Sequence, residues 1–135
     1  MMKRFTESAE QAVKGTDPTS IDDIVGIPAS GGRASGPARV VHSLADFDQV
    51  QPGDVLVAPM TAPAWTPLFD RVAAIVTDTG GVAAHASIVA REYGLPAVVG
   101  TADATRRLRD GEIVEVDGSA GVVRRLGTFP GPAPT

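Results

Sequence analysis

Residues 77–100 read TDTGGVAAHASIVAREYGLPAVVG, and the rest of the chain is best read outward from them. Ala74 to Thr77, at their leading edge, is a run of small and β-branched residues expected to form a buried strand. Gly80 and Gly81 let the backbone turn sharply, and Ala84 to Tyr93 has helical composition closed by Gly94 and then Pro96. His85 therefore falls in the first helical turn. Amide N–H groups there lack intrahelical acceptors, and the aligned peptide dipoles add partial positive charge, so a phosphoryl group gains several donors at once. The same positive end disfavours imidazolium. A neutral ring keeps a nitrogen lone pair for attack on phosphorus, which suits His85 to nucleophilic covalent catalysis.

The order of residues carries more than the helix position. TDTGG, then His85 four residues after Gly81, then Ile88-Val-Ala-Arg-Glu92, Gly94 and Pro96 resembles the phosphohistidine signature of the PEP-utilising enzymes. Pyruvate phosphate dikinase, phosphoenolpyruvate synthase, rifampin phosphotransferase and the first enzyme of the sugar phosphotransferase system carry it on a mobile swivelling domain. The resemblance extends from about Gly26 to Val123. It takes in Gly26-Ile-Pro-Ala-Ser-Gly31, Ala34-Ser-Gly36, Gly53-Asp-Val-Leu-Val57 and Met60-Thr-Ala-Pro-Ala-Trp-Thr-Pro67. Downstream it includes Asp110-Gly-Glu-Ile-Val-Glu-Val-Asp-Gly118 and Gly121-Val-Val123. It implies an α/β fold of the swivelling β/β/α type, with a phosphoryl group held transiently on His85.

Two positions depart from the family pattern. Members generally carry a hydroxyl or thiol residue just before the histidine, often with a Thr before that, where this chain has Ala83 and Ala84. A hydroxyl stands instead at Ser87. One hydrogen bond to a charged group contributes roughly 1.5 to 3 kcal/mol, so its loss is expected to slow transfer without removing the backbone cradle.

Size and composition limit what else the chain does. Its 135 residues suit one domain with a modest core and leave no room for a second catalytic domain. A net charge of −4, with no basic stripe interleaved with aromatics, gives no reason to expect nucleic acid. Cysteine is absent and only two histidines are present, so no metal site is expected. No apolar run approaches the ~20 residues needed to cross a bilayer, and residues 1–11 lack a signal-peptide core, so a cytoplasmic protein is expected.

Residues 1–20 are expected to form a flexible arm, 21–126 the domain, and the Pro- and Gly-rich 127–135 a mobile tail. Inside the domain, strands are expected over Ala38 to His42, Asp54 to Ala58, Ala73 to Thr77, Ala97 to Val99, Ile113 to Val116 and Val122 to Arg124. Thr66 followed by Pro67 predicts a helix start running to about Arg71, and Asp103 is expected to cap a short helix over Ala104 to Leu108. The patch Ser30-Gly-Gly-Arg-Ala-Ser-Gly36 reads as turns, without the spacing of a nucleotide-binding loop.

Among the remaining polar residues, Asp78, Thr79, Gly80, Gly81 and Ser87 are expected to cradle phosphate or organise the loop. Arg91 lies six positions from His85, about 600 degrees around a helix, so a salt bridge or partner contact suits it better than a phosphate clamp. Glu92 reads as a solvated charge, His42 as a packed or solvent-facing residue, and Trp65 as a core anchor. The resemblance further implies that this chain binds no cofactor of its own. Mg²⁺ with ATP or PEP is then expected on separately encoded partners: an ATP-grasp nucleotide-binding protein, and a PEP/pyruvate barrel or substrate-binding protein whose acceptor is pyruvate, a rifamycin-type antibiotic or another small molecule. A non-catalytic docking or regulatory module that keeps the fold is the competing expectation, and phosphate incorporation separates the two.

Overall fold

The apolar runs 55–58, 74–77 and 97–99 are buried at every residue, because each lies in a sheet covered on both faces. The computed structural model describes residues 23–127. In chain order these form β1 (Ile24–Val25), β2 (Ile27–Ser30), β3 (Arg33–Val40), a 3-10 helix Leu44–Gln49, β4 (Val55–Ala58) and a second 3-10 helix Pro63–Asp70. There follow β5 (Ala74–Thr77), α1 (His85–Tyr93), β6 (Ala97–Val99), α2 (Ala104–Arg107), β7 (Ile113–Asp117) and β8 (Val122–Gly127). The strand order is β1-β8-β7-β3-β4-β5-β6-β2. Neighbours from β3 to β6 are parallel, while β1, β8, β7 and β3 pair antiparallel and β2 adds antiparallel to β6. β3 serves both halves: residues 33–37 pair with β7, and 38–40 with β4.

Side chains that alternate along a strand face opposite sides of its sheet, and here they feed two separate cores. Leu56, Ala58, Ile75, Ala97 and Val99 pack with Trp65, Leu68 and Phe69 of the second 3-10 helix and with Ala86, Val89 and Ala90 of α1. Val55, Val57, Ala74, Val76 and Val98 pack with Val114, Val116 and Val123 of the antiparallel strands and with Ala104 and Leu108. The layers are therefore antiparallel strands, parallel strands and helices, the β/β/α arrangement of an α/β fold that the resemblance implies. Trp65 is a core residue, as its size suggests, and meets Phe47 edge-on at 5.3 Å.

Several boundaries differ from the sequence expectation. The patch 30–36 is not a series of turns. Only Gly31 and Gly32 turn; from Arg33 the chain is already in β3, paired along β7 from Arg33 opposite Asp117 to Gly36 opposite Val114. The second helix starts at Pro63 rather than beyond Thr66, with Ala62 in the cap position. Pro63 suits a first helical position as well as Pro67 does. Pro67 then lies inside, where its missing N–H interrupts the bonding ladder. Asp103 precedes α2, but its side chain makes no cap bond; the Ala104 amide donates instead to Thr101 Oγ1 at 3.3 Å. β8 runs on to Gly127, one residue past the expected domain end. The arm expected over 1–20 and the tail beyond Gly127 lie outside the described residues.

The hairpin β7–β8 is pinned by one buried carboxylate. Asp117, 3% exposed, accepts from the Ser119 and Ala120 amides at 3.1 and 3.0 Å and pairs with Arg33 at 3.2 Å and Arg124 at 3.4 Å. The Ala120 amide does most to hold this carboxyl below its ordinary value; burial opposes it, and Arg124 and Arg33 reinforce it. A group whose value falls on folding contributes stability that is present above its unfolded value, about 3.9, and lost as pH drops through the folded one. Asp117→Asn is accordingly expected to cost about 1 kcal/mol at pH 7. Its deficit against the wild type should shrink below about pH 4, which paired urea titrations at neutral and acid pH would show.

Candidate functional site

β5 delivers the chain to the edge of the helical layer at Thr77, whose hydroxyl turns back to the Thr79 carbonyl at 2.7 Å. Gly80 follows with φ +113°, a conformation that side chains rarely adopt, and a Cβ there would lie 3.1 Å from Ala84 Cβ. The turn thereby folds back and starts α1 at His85. Gly94 ends the helix in the left-handed conformation expected of a terminal glycine.

His85 is half-buried at the wall of a cavity of about 250 Å³. Met60, Thr61, Thr77, Thr79, Gly80 and residues 84–86 line it. Two contacts fix the ring. Nδ1 lies 2.8 Å from Thr61 Oγ1, and the ring meets Phe69 edge-on at 6.0 Å with an interplanar angle of 85°. Among the described residues Nε2 has no hydrogen-bond partner. Ala84, in the cap position, offers no side-chain acceptor to the first-turn amides, so donors stand free beside the ring. The lining carries no Lys, Arg, Asp or Glu, so it brings neither cation nor carboxylate to a bound phosphate.

The other expected residues fall around this histidine in unequal roles. Thr79 and Gly80 line the cavity, with Thr79 Oγ1 donating to the Pro59 carbonyl at 3.1 Å. Asp78 is spent on Thr105, accepting from its amide at 2.9 Å and its hydroxyl at 2.6 Å, which ties the loop to α2. Ser87 is fully buried and donates to the Gly81 carbonyl at 2.7 Å, so it organises the loop and stands away from the cavity wall. Among the described residues Arg91 makes no salt bridge; it bonds the carbonyls of Ala29 and Val82, both at 2.8 Å. Carbonyls are the acceptors within its reach, and no described carboxylate is. Glu92 is exposed, as a solvated charge should be. His42 is exposed too, and its amide donates to Asp46 at 3.1 Å, away from the site.

Thr61 is the functional residue that sequence reasoning missed. It lies 24 positions before His85, beyond any helical or strand period, and is 5% exposed. The signal available was a hydroxyl three residues after the apolar run of β4, inside a segment that already resembled the family.

The site is thus a single histidine at a helix entrance, on the helical layer of a β/β/α domain. Residues 50–121 match the model of the PEP-utilising enzyme mobile domain, and the chain belongs to that family. It is 53% identical over 124 residues to the protein of Bacillus subtilis (strain 168) described as "Uncharacterized phosphotransferase YvkC", covering 90% of this chain and 15% of that one. To the phosphoenolpyruvate synthase of Aeropyrum pernix it is 56% identical over 99 residues, covering 73% and 12%. Among solved structures, that of Enzyme I (nEIt) aligns with a TM-score of 0.53 and 31% identity, over 60% of this chain and 34% of that one. The chain thus spans a small fraction of the length of these curated relatives. Among the described residues no helix is long and apolar enough to cross a membrane.

Proposed function

We propose that this domain is a phosphoryl carrier whose attacking atom is Nε2 of His85. The observation that supports it is the 2.8 Å contact between Nδ1 and the buried Thr61 hydroxyl. If Nδ1 holds the ring proton and donates it to Thr61 Oγ1, the lone pair lies on Nε2, the nitrogen without a partner. In the forward step Nε2 forms a bond to phosphorus while the P–O bond of the donor breaks. The leaving oxygen keeps the bonding pair, and the Nδ1 proton stays in place. The free first-turn amides then face the charge that arrives with the phosphoryl group. In the return step an acceptor oxygen displaces Nε2.

Phosphoryl transfer demands cationic stabilisation, and the cavity lining supplies none. Mg²⁺ and Lys or Arg side chains must then come from other domains: a nucleotide-binding domain of the ATP-grasp kind for ATP, a PEP/pyruvate barrel for PEP, or a substrate domain for a small-molecule acceptor. Asp78, Thr79, Gly80, Gly81 and Ser87 shape the loop that these domains approach.

Thr61→Val tests the assignment of the nitrogen. It keeps the shape and removes the hydroxyl. Phosphorylation of His85 by a small donor such as phosphoramidate is expected to slow about ten-fold, the equivalent of ~1.4 kcal/mol, with product appearing on Nδ1 as well as Nε2. Phosphorus–proton correlation NMR distinguishes the two products: wild-type product on Nδ1 would defeat the assignment of Nε2, and an unchanged rate with Nε2 product alone in the variant would show that Thr61 does not set it.

A further inference from the structure

No side chain at the Ala84 cap position holds the loop that enters α1; the Ala84 amide closes a turn onto the Gly81 carbonyl at 3.0 Å, and the loop is also fastened from behind. Ser87 Oγ donates to the Gly81 carbonyl at 2.7 Å, and Arg91 Nη2 donates to the Val82 carbonyl at 2.8 Å. The other guanidinium nitrogen, Nη1, donates to the Ala29 carbonyl of β2 at 2.8 Å. One planar group thus joins α1, the loop before the histidine and the edge strand of the parallel sheet. In a trans peptide the carbonyl and the following N–H point in opposite directions. Drawing the carbonyls of Gly81 and Val82 towards α1 therefore turns the amides of Val82 and Ala83 away from the helix body.

We infer that Arg91 is a positioning residue for phosphoryl transfer, a strap that sets the height and orientation of the loop 81–84 so that the Val82 and Ala83 amides and the His85 ring meet the phosphoryl group in register. It touches neither imidazole nor cavity and acts through the backbone of Val82. The guanidinium does from the far end of α1 what a capping side chain at position 84 would do from the near end. A flat fork is needed, because one group must reach two carbonyls on different elements, and a lysine ammonium reaches one at a time. The inference rests on the carrier reading of His85.

The test uses His42 as an internal standard, since it is exposed and lies outside the site. The whole chain is treated with phosphoramidate, and the rates at His85 and His42 are followed separately by NMR. In the wild type His85 is expected to outpace His42. In Arg91→Ala that advantage should fall about ten-fold or more, as loss of positioning does elsewhere. Arg91→Lys should restore part of it. Backbone amides of Val82 and Ala83 and the imidazole nitrogens of His85 should shift in both variants without any donor present. Val123→Ala, which weakens the core on the antiparallel side, should leave the rate ratio unchanged, separating positioning from general stability. A folded Arg91→Ala protein with the wild-type rate ratio and unmoved loop resonances would overturn the inference. A wild-type His85 no faster than His42 would instead count against the carrier reading, and the loop resonances would still judge the strap.

Discussion

His85→Ala is expected to take up no acid-labile phosphate under conditions in which the wild type gains one phosphate in intact mass, using ATP, Mg²⁺ and a nucleotide-binding partner or PEP with its own partner. The substitution removes the only imidazole in the cavity wall, and no other lining residue bears a nitrogen nucleophile. Truncating this half-buried side chain gives up an edge-on contact with Phe69 and the bond to the buried Thr61 hydroxyl, at about 1 to 3 kcal/mol of folding stability, so circular dichroism of the variant accompanies the mass measurement. The size of the effect follows from chemistry: without the lone pair no N–P bond forms, and incorporation drops to background. A docking module would give the opposite pattern, with no phosphate on the wild type and unchanged partner affinity in the variant. Phosphate gained equally by both proteins would place the chemistry on another residue.

Gly118→Ala is expected to destabilise the fold more than alanine at any other glycine of the described residues. A Cβ at this position would overlap the Ser30 carbonyl oxygen and come within 2.9 Å of the Ala97 nitrogen. Both are main-chain atoms of β2 and β6, which pair with each other at these residues, so no side chain can swing aside. The Gly118 amide already donates to the Gly32 carbonyl at 2.8 Å, which holds the segment against that pair. The strand pair or the hairpin must move, at a cost of about 3 kcal/mol or more. Gly111→Ala provides the contrast. Nothing lies within 4 Å of its added Cβ, and only its φ of +87° is strained, so about 1 kcal/mol is expected. Urea midpoints of the two variants give the comparison; equal midpoints would mean that close approach at Gly118 is relieved by a shift too small to matter.

How much of the fold and site is legible in the sequence depends on how local the cause is. β4, β5 and β6 can be read because strands buried on both faces are uniformly apolar, and α1 because a glycine closes it. His85 can be read because its turn, its helix and its neighbours lie within a dozen residues. β1 and β2 escape: Ile24–Val25 and Ile27–Ser30 are too short to show alternation, and they are strands only because β8 and β6 lie beside them. The first half of β3 is hidden under glycines whose purpose is close approach, as at Gly36, where a Cβ would strike the Gly53 carbonyl oxygen. The Thr61–His85 contact and the hydrogen bond from Arg91 to Ala29 are invisible for a related reason. Each joins elements far apart in sequence, across separations of 24 and 62 positions.

The pairing of β1 with β8 has a mechanical consequence. Ile24 lies opposite Val123 and Val25 opposite Val122, so the chain enters this body and leaves it along adjacent strands of the outer sheet, while the imidazole sits on the layer furthest from them. Both ends of the described chain thus adjoin on one side of the body, and stacked sheets alone put ~10 Å between them and the far layer. Rotation of the whole body about these adjoining ends would leave the contacts of both cores intact and, on the carrier reading, would carry the His85 ring through an arc like the tip of a crane.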